Sequence, residues 1–177
     1  TTAPAAATAL GLGTGNSPSF LNVTSSSAPS NANHLATKGY VDDADRFDVK
    51  GYVVMATTAD LTGYNYYNGT AGVGATLTGT GNGAVTIDGI ATATVNQRVL
   101  VKNQNDDKQN GIYYVSTASG VSAALELTRA TDFDTNTKIK GSFCFVESGT
   151  TNASSGFVCT NAGAVTLGTT SITFSKF

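Results

Sequence analysis

Charge is scarce in this sequence: Asp, Glu, Lys and Arg make up 12% of 177 residues, about half the share of an average globular domain. Ten Lys and Arg against twelve Asp and Glu leave a formal charge of −2, with no basic cluster. That excludes nucleic acid as the main partner, because neutralising phosphates takes grouped cations. No apolar run approaches the roughly 18–20 residues that cross a bilayer as a helix, so membrane insertion is not expected. The chain opens Thr-Thr and lacks the basic and apolar regions of a signal peptide. It is therefore expected to be processed or cut from something longer. One histidine, His34, and two cysteines are too few ligands for a metal site, and no cofactor is expected. Cys144 and Cys159 read as free core thiols, with a disulfide across a hairpin as the alternative.

What the chain does have is 40% hydrophobic residues, 8% aromatic residues and 20 glycines. That is enough apolar material for a core, and the small polar and β-branched remainder suits a rigid all-β protein better than a helical enzyme. Three regions follow one another. Residues 1 to about 33 are small and polar, with sparse apolar positions at Leu10, Leu12, Phe20, Leu21 and Val23. They form either a linker or a strand that orders when copies wrap together. A short helix is expected near 34–47, where Leu35 and Thr37, then Tyr40/Val41, Ala44 and Phe47, recur at three- and four-residue intervals. A helix of about three turns containing Gly39 is marginal alone, so Leu35, Tyr40, Val41, Ala44 and Phe47 are expected to form the interface of a homotrimer. Residues 1–50 thus make an extended connector.

From 51 to 177 the pattern is β. Strands are expected at Val53–Thr57, Val85–Asp88, Arg98–Lys102, Ile112–Ser116, Leu125–Thr128, Ser142–Val146 and Ile172–Ser175, separated by turn signals such as Asp88-Gly89 and Asn110-Gly111. Short strands at this spacing predict a β-sandwich or barrel-like domain. Ser142–Val146, apolar on both faces, is expected at the centre of the sheet system. Residues 63–83 read as a long surface excursion.

Candidate chemistry is thin. Glu126 and Glu147 are the only glutamates. The first falls on the polar phase of a strand, and the second is expected in a surface ion pair near Arg129, so neither suggests a glycosidase. Asp132, Asp134 and Asn136 have the spacing of a calcium loop, but Thr137 and Phe143 stand where an EF-hand needs Gly and Glu. A turn capped by its own side chains is the better reading. Tyr64, Tyr66 and Tyr67 are the candidate contacts for a glycan, since tyrosine offers apolar area and a hydroxyl at low entropic cost. Tyr114, in phase with Ile112, is expected in the core.

Two stretches resemble known proteins. Ala36-Thr37-Lys38-Gly39-Tyr40-Val41-Asp42, with Leu10-Gly11-Leu12-Gly13-Thr14 and Ser17-Pro18-Ser19-Phe20 upstream, resembles the ATKGYVD motif of tailed-bacteriophage tail fibres and the phrases preceding it. Residues 51–177 resemble a β-domain of phage tail and fibre proteins. The resemblance runs through Thr86-Ile87-Asp88-Gly89, Arg98-Val99-Leu100-Val101-Lys102-Asn103-Gln104 and Asn110-Gly111-Ile112-Tyr113. It continues through Thr128-Arg129-Ala130-Thr131-Asp132-Phe133-Asp134 and Glu147-Ser148-Gly149-Thr150-Thr151-Asn152. Asn96-Gln97 stand where that pattern has Gly-Asp, and Phe157 where Trp is frequent. The resemblance implies a virion location, other tail, baseplate or capsid proteins as partners, and no catalytic residues. The expectation is a non-enzymatic connector bearing a β-domain; a host-surface glycan-binding module is the alternative.

Overall fold

The computed structural model describes residues 29–31, 35–36, 41 and 48–177. The expected extended segment, most of the expected helix, and Tyr40, Ala44 and Phe47 lie outside the described residues. Val41 is helical. The chain divides into Thr1–Asp45 and Arg46–Phe177, and every strand among the described residues belongs to the second unit.

That unit is mostly β. Strands β1 (Asp48–Val49), β10 (Ser142–Val146), β11 (Ser155–Cys159) and β12 (Phe174–Lys176) form one sheet in that order. A second sheet runs β2 (Met55–Ala56), β7 (Arg98–Val101), β8 (Gly111–Thr117), β9 (Glu126–Arg129), β4 (Thr76–Gly79), β3 (Tyr64–Tyr67). Strands β5 (Thr86–Ile87) and β6 (Ile90–Ala91) make a separate hairpin. Most neighbours are antiparallel, but β1 pairs with β10 and β2 with β7 in parallel. The first segment of the domain connects the two sheets. Its Lys50 and Val53 amides donate to Phe143 and Phe145 carbonyls, and then its Val54 and Thr57 amides donate to Arg98 and Leu100. The sheet therefore starts at Asp48, before the boundary expected at Gly51.

The sheets share a core. Cys144, Val146, Phe157 and Cys159 from one sheet meet Ala56, Leu100, Ile112 and Ala130 from the other. The opposite face of the six-stranded sheet is also buried, with Met55, Leu77, Val99, Val101, Tyr113, Val115 and Leu127 packed under Ile87 and Leu125. A sheet covered on both faces needs apolar residues in both phases, which is why Val99-Leu100-Val101 and Ile112-Tyr113 are unbroken apolar runs. Tyr114 does pack beside Ile112, but Tyr113 is the more deeply buried of the two.

Two expectations need correction. Residues 63–83 are not a surface excursion: β3 and β4 pair as a hairpin, and Leu77 joins β4 to the buried face. Ser142–Val146 is central in its hydrogen bonding but not in its burial. Ser142, Cys144 and Val146 are buried, whereas Phe145 is exposed on the other face. Cys144 sits opposite Phe157, and Cys159 opposite Phe174, so the two thiols lie diagonally on neighbouring strands and both are free. Burial pushes the Cys144 thiol up to about 12 and raises that of Cys159, so neither is a nucleophile at neutral pH.

The Asp88-Gly89 turn has φ +51 and +80 at its two residues, the left-handed pair that matches a two-residue hairpin. Asn96, in the place of the pattern's Gly, has φ +67. Asparagine tolerates that region better than other side chains, so the turn survives the exchange.

Candidate functional site

The motif residues of the β-domain meet one another in three clamps. In the first, Asp88 accepts from the Thr151 and Asn152 amides, each at 2.8 Å, and from Asn152 Nδ2 at 3.1 Å. Asn152 Nδ2 also reaches the Ala56 carbonyl at 3.3 Å. A Cβ on Gly149 would stand 2.3 Å from Asp88 Oδ2, so only glycine lets the loop close on the carboxylate. Burial raises the Asp88 carboxyl, but the Asn152 and Thr151 donors outweigh it and hold the group below its usual 3.8. A depressed folded value contributes stability above the unfolded value, and that contribution is lost as pH falls through the folded one. Asp88→Ala is expected to cost about 1–2 kcal/mol at pH 7, through donors left without an acceptor. The gap in melting temperature between wild type and variant should narrow below pH 3.8; a gap that stays constant down to pH 2 contradicts the clamp.

The second clamp is an ion pair between Arg98 Nη2 and both Asp132 oxygens, at 2.8 and 3.1 Å. The third is Arg129, 1% exposed and the largest fully buried side chain. Its guanidinium donates to the Asn110 carbonyl at 3.0 Å, the Tyr113 hydroxyl at 2.8 Å and the Tyr66 hydroxyl at 3.4 Å. The same group lies 4.8 Å from the Tyr113 ring centroid. Tyr113 in turn donates to the Gln109 carbonyl, and Tyr66 to Asn68 Oδ1. Burial pushes the Tyr113 phenol well above its ordinary value, with Arg129 opposing. No carboxylate among the described residues pairs with Arg129. A Cβ on Gly111 would fall 2.2 Å from Arg129 Nη1, so the guanidinium occupies the space a side chain would need.

The carboxylates of the sequence reading are dispersed. Glu126 accepts from the Ser116 hydroxyl at 2.9 Å and lies 3.4 Å from that of Thr78. The expected partnership of Glu147 with Arg129 does not form. Glu147 is exposed at the end of β10, while Arg129 is buried in the other sheet. Asp132 is held by Arg98, Asp134 by Lys138 at 2.8 Å, and Asn136 accepts from the Leu167 amide. These three oxygen groups serve three separate contacts rather than one centre.

Tyr64, Tyr66 and Tyr67 do not form one surface. Side chains alternate along β3, so Tyr64 and Tyr66 pack towards the buried face while Tyr67 is exposed on the other. Strand register extends that second face into a row: Tyr67 opposite Thr76, Thr76 opposite Thr128, Thr128 opposite Tyr114, Tyr114 opposite Arg98. Beside it run Asn65, Thr78 and Glu126. Tyr114, expected in the core, packs against it on the side of Ile112, where this row ends. Leu35 and Val41, from the expected trimer seam, are 69% and 56% exposed. No protein-family model, curated protein or solved structure matches the chain.

Proposed function

We propose that the chain is a structural component of a tailed-bacteriophage virion appendage, a tail fibre or similar. Residues 1–50 join three copies, and residues 51–177 form the β-domain they carry. The observation that carries this reading is where the phage-like motifs lead. Asp88 with Thr151 and Asn152, Arg98 with Asp132, and Arg129 with Asn110 and Tyr113 are contacts within or between those motifs. The polar side chains of the motifs are used to fix backbone and bury charge, which is the demand on a load-transmitting domain. Catalysis would instead need a convergent acid and base. Leu35 and Val41 support the joint, being large apolar side chains open to a partner. Partners of this kind are other tail, baseplate or capsid proteins. Antibodies against residues 51–177 should decorate an external appendage of purified particles in electron micrographs. Particles that stay undecorated while the protein remains in the lysate contradict the reading.

A second reading, a glycan-binding module, rests on the β3–β4 end of the six-stranded sheet, where Tyr67 is exposed. Register places Thr76 and then Thr128 beside Tyr67, before the row meets Tyr114, which packs against the core shared by the two sheets. An exposed aromatic ring beside hydroxyls suits a saccharide. Tyr67→Ala should weaken binding to purified host-surface polysaccharide at least tenfold in calorimetry, with the melting temperature unchanged. Equal binding by the two proteins leaves that face as ordinary solvated sheet.

A further inference from the structure

Asparagine followed by glycine is a pair that can modify itself. The glycine backbone nitrogen attacks the asparagine Cγ, a C–N bond forms and ammonia leaves. Water then opens the cyclic imide at either carbonyl, giving aspartate or isoaspartate. Glycine favours the attack because it has no Cβ to obstruct the approach. The chain contains three such pairs, Asn68-Gly69, Asn82-Gly83 and Asn110-Gly111, and the fold treats them differently. Asn110 is buried. Its Nδ2 donates to the Ile172 carbonyl at 2.9 Å and to Asp107 at 3.2 Å, and its Oδ1 accepts from the Gln104 amide. Gly111 is fixed in β8 opposite Val101. Asn68 accepts from the Tyr66 hydroxyl at 2.6 Å and donates to the Leu167 carbonyl at 3.4 Å. A Cβ on Gly69 would stand 2.1 Å from the Val73 carbonyl oxygen, so that glycine is packed closely as well. Asp88-Gly89 can form the same imide by losing water, but its carboxylate is held by the Thr151 and Asn152 amides.

Asn82 has none of these restraints. It is exposed, it lies between β4 and β5 outside any strand, and its side chain makes no hydrogen bond among the described residues. Nothing stands within 4 Å of a Cβ built on Gly81 or Gly83, so side chain and backbone have room to turn towards each other. The Gly83 amide does donate to the Gly120 carbonyl at 2.8 Å. Gly120 belongs to a tight turn with Ala123, beside Val121, which is 94% exposed. Releasing that bond therefore uncovers no core. We infer that Asn82-Gly83 is a self-modification site, where the folded protein converts an asparagine to aspartate and isoaspartate with water as the co-reactant. Conversion adds one acidic group to the twelve present and takes the formal charge from −2 to −3. The isoaspartate product also lengthens the backbone by a methylene just before the Gly83–Gly120 bond. The Val85 amide and the Thr92 hydroxyl remain tied to Ser119, so the altered loop stays anchored and the sheets are undisturbed.

The test follows the full chain through incubation at mildly alkaline pH. Digestion and mass spectrometry then report amide-to-acid conversion at each of the three Asn-Gly pairs, and enzymatic methylation counts isoaspartate. In the folded protein Asn82 should convert at least about tenfold faster than Asn68 or Asn110, because those two react only from locally opened states. In urea the three rates should draw together, since the fold and not the dipeptide separates them. Asn82→Gln, which needs a larger and slower-forming ring, should remove the acidic species from the ion-exchange profile and leave the far-UV spectrum unchanged. Rates that differ as little in the folded chain as in urea overturn the inference. So does an Asn82 that is stable in the folded chain and reactive in urea, because the Gly120 bond would then block the attack.

Discussion

Arg129→Ala should unfold the β-domain more readily than any other single truncation, at a cost of about 3–5 kcal/mol. Desolvating a guanidinium costs several kcal/mol, and no carboxylate among the described residues offsets it. Hydrogen bonds from the charged group to the Asn110 carbonyl and the Tyr113 hydroxyl, plus the Tyr113 ring, return about that much. The net contribution of the charge is therefore small, yet its removal is expensive. The Asn110 carbonyl loses its donor, and a void opens between Gly111, Phe133 and Tyr113. Arg129→Met should cost less than Arg129→Ala, because it fills the void and leaves Tyr113 still donating to Gln109.

The neighbouring glycine makes this a cycle rather than a single measurement. Gly111→Ala puts a methyl 2.2 Å from Arg129 Nη1 and 3.1 Å from the Phe133 ring, an overpacking expected to cost about 3 kcal/mol. In the Arg129→Ala background the closer clash is gone. The double variant should then be more stable than the sum of the singles by at least about 1 kcal/mol in urea denaturation. Strict additivity would mean that the guanidinium does not rest against Gly111.

How much of this was legible depends on the range of the signal. Glu126–Arg129 and Ser142–Val146 are strands because alternation and β-branched or aromatic content act locally, and Asp88-Gly89 is a turn for an equally local reason. The β3–β4 hairpin was hidden by glycine and threonine, although Tyr64 and Tyr66 keep the period of two and Leu77 marks the buried phase. The parallel pairings β1–β10 and β2–β7 join residues that carry no information about each other in sequence. Arg129 was missed for a different reason. It continues the phase of Leu125 and Leu127, which is the buried phase, but its charge argues for the surface. The partners that resolve the conflict, Asn110 and Tyr66, come from distant strands and turns. The tyrosine candidates divided because alternation within β3 outweighs their adjacency in sequence.

Val41→Asp should weaken assembly of the full chain at least about 100-fold, because in the proposed trimer it places a carboxylate from every copy in one apolar seam. The β-domain's circular dichroism should be unchanged, since Val41 lies outside the Arg46–Phe177 unit.

The central claim is that three chains make one joint, and light scattering coupled to size exclusion measures it directly. At tens of micromolar, the full chain of 18.0 kDa should elute at about 54 kDa, three times its own mass. Residues 51–177 alone should elute as a monomer or a weaker assembly, because the tether is absent. A full chain that remains at 18.0 kDa under those conditions contradicts the joint.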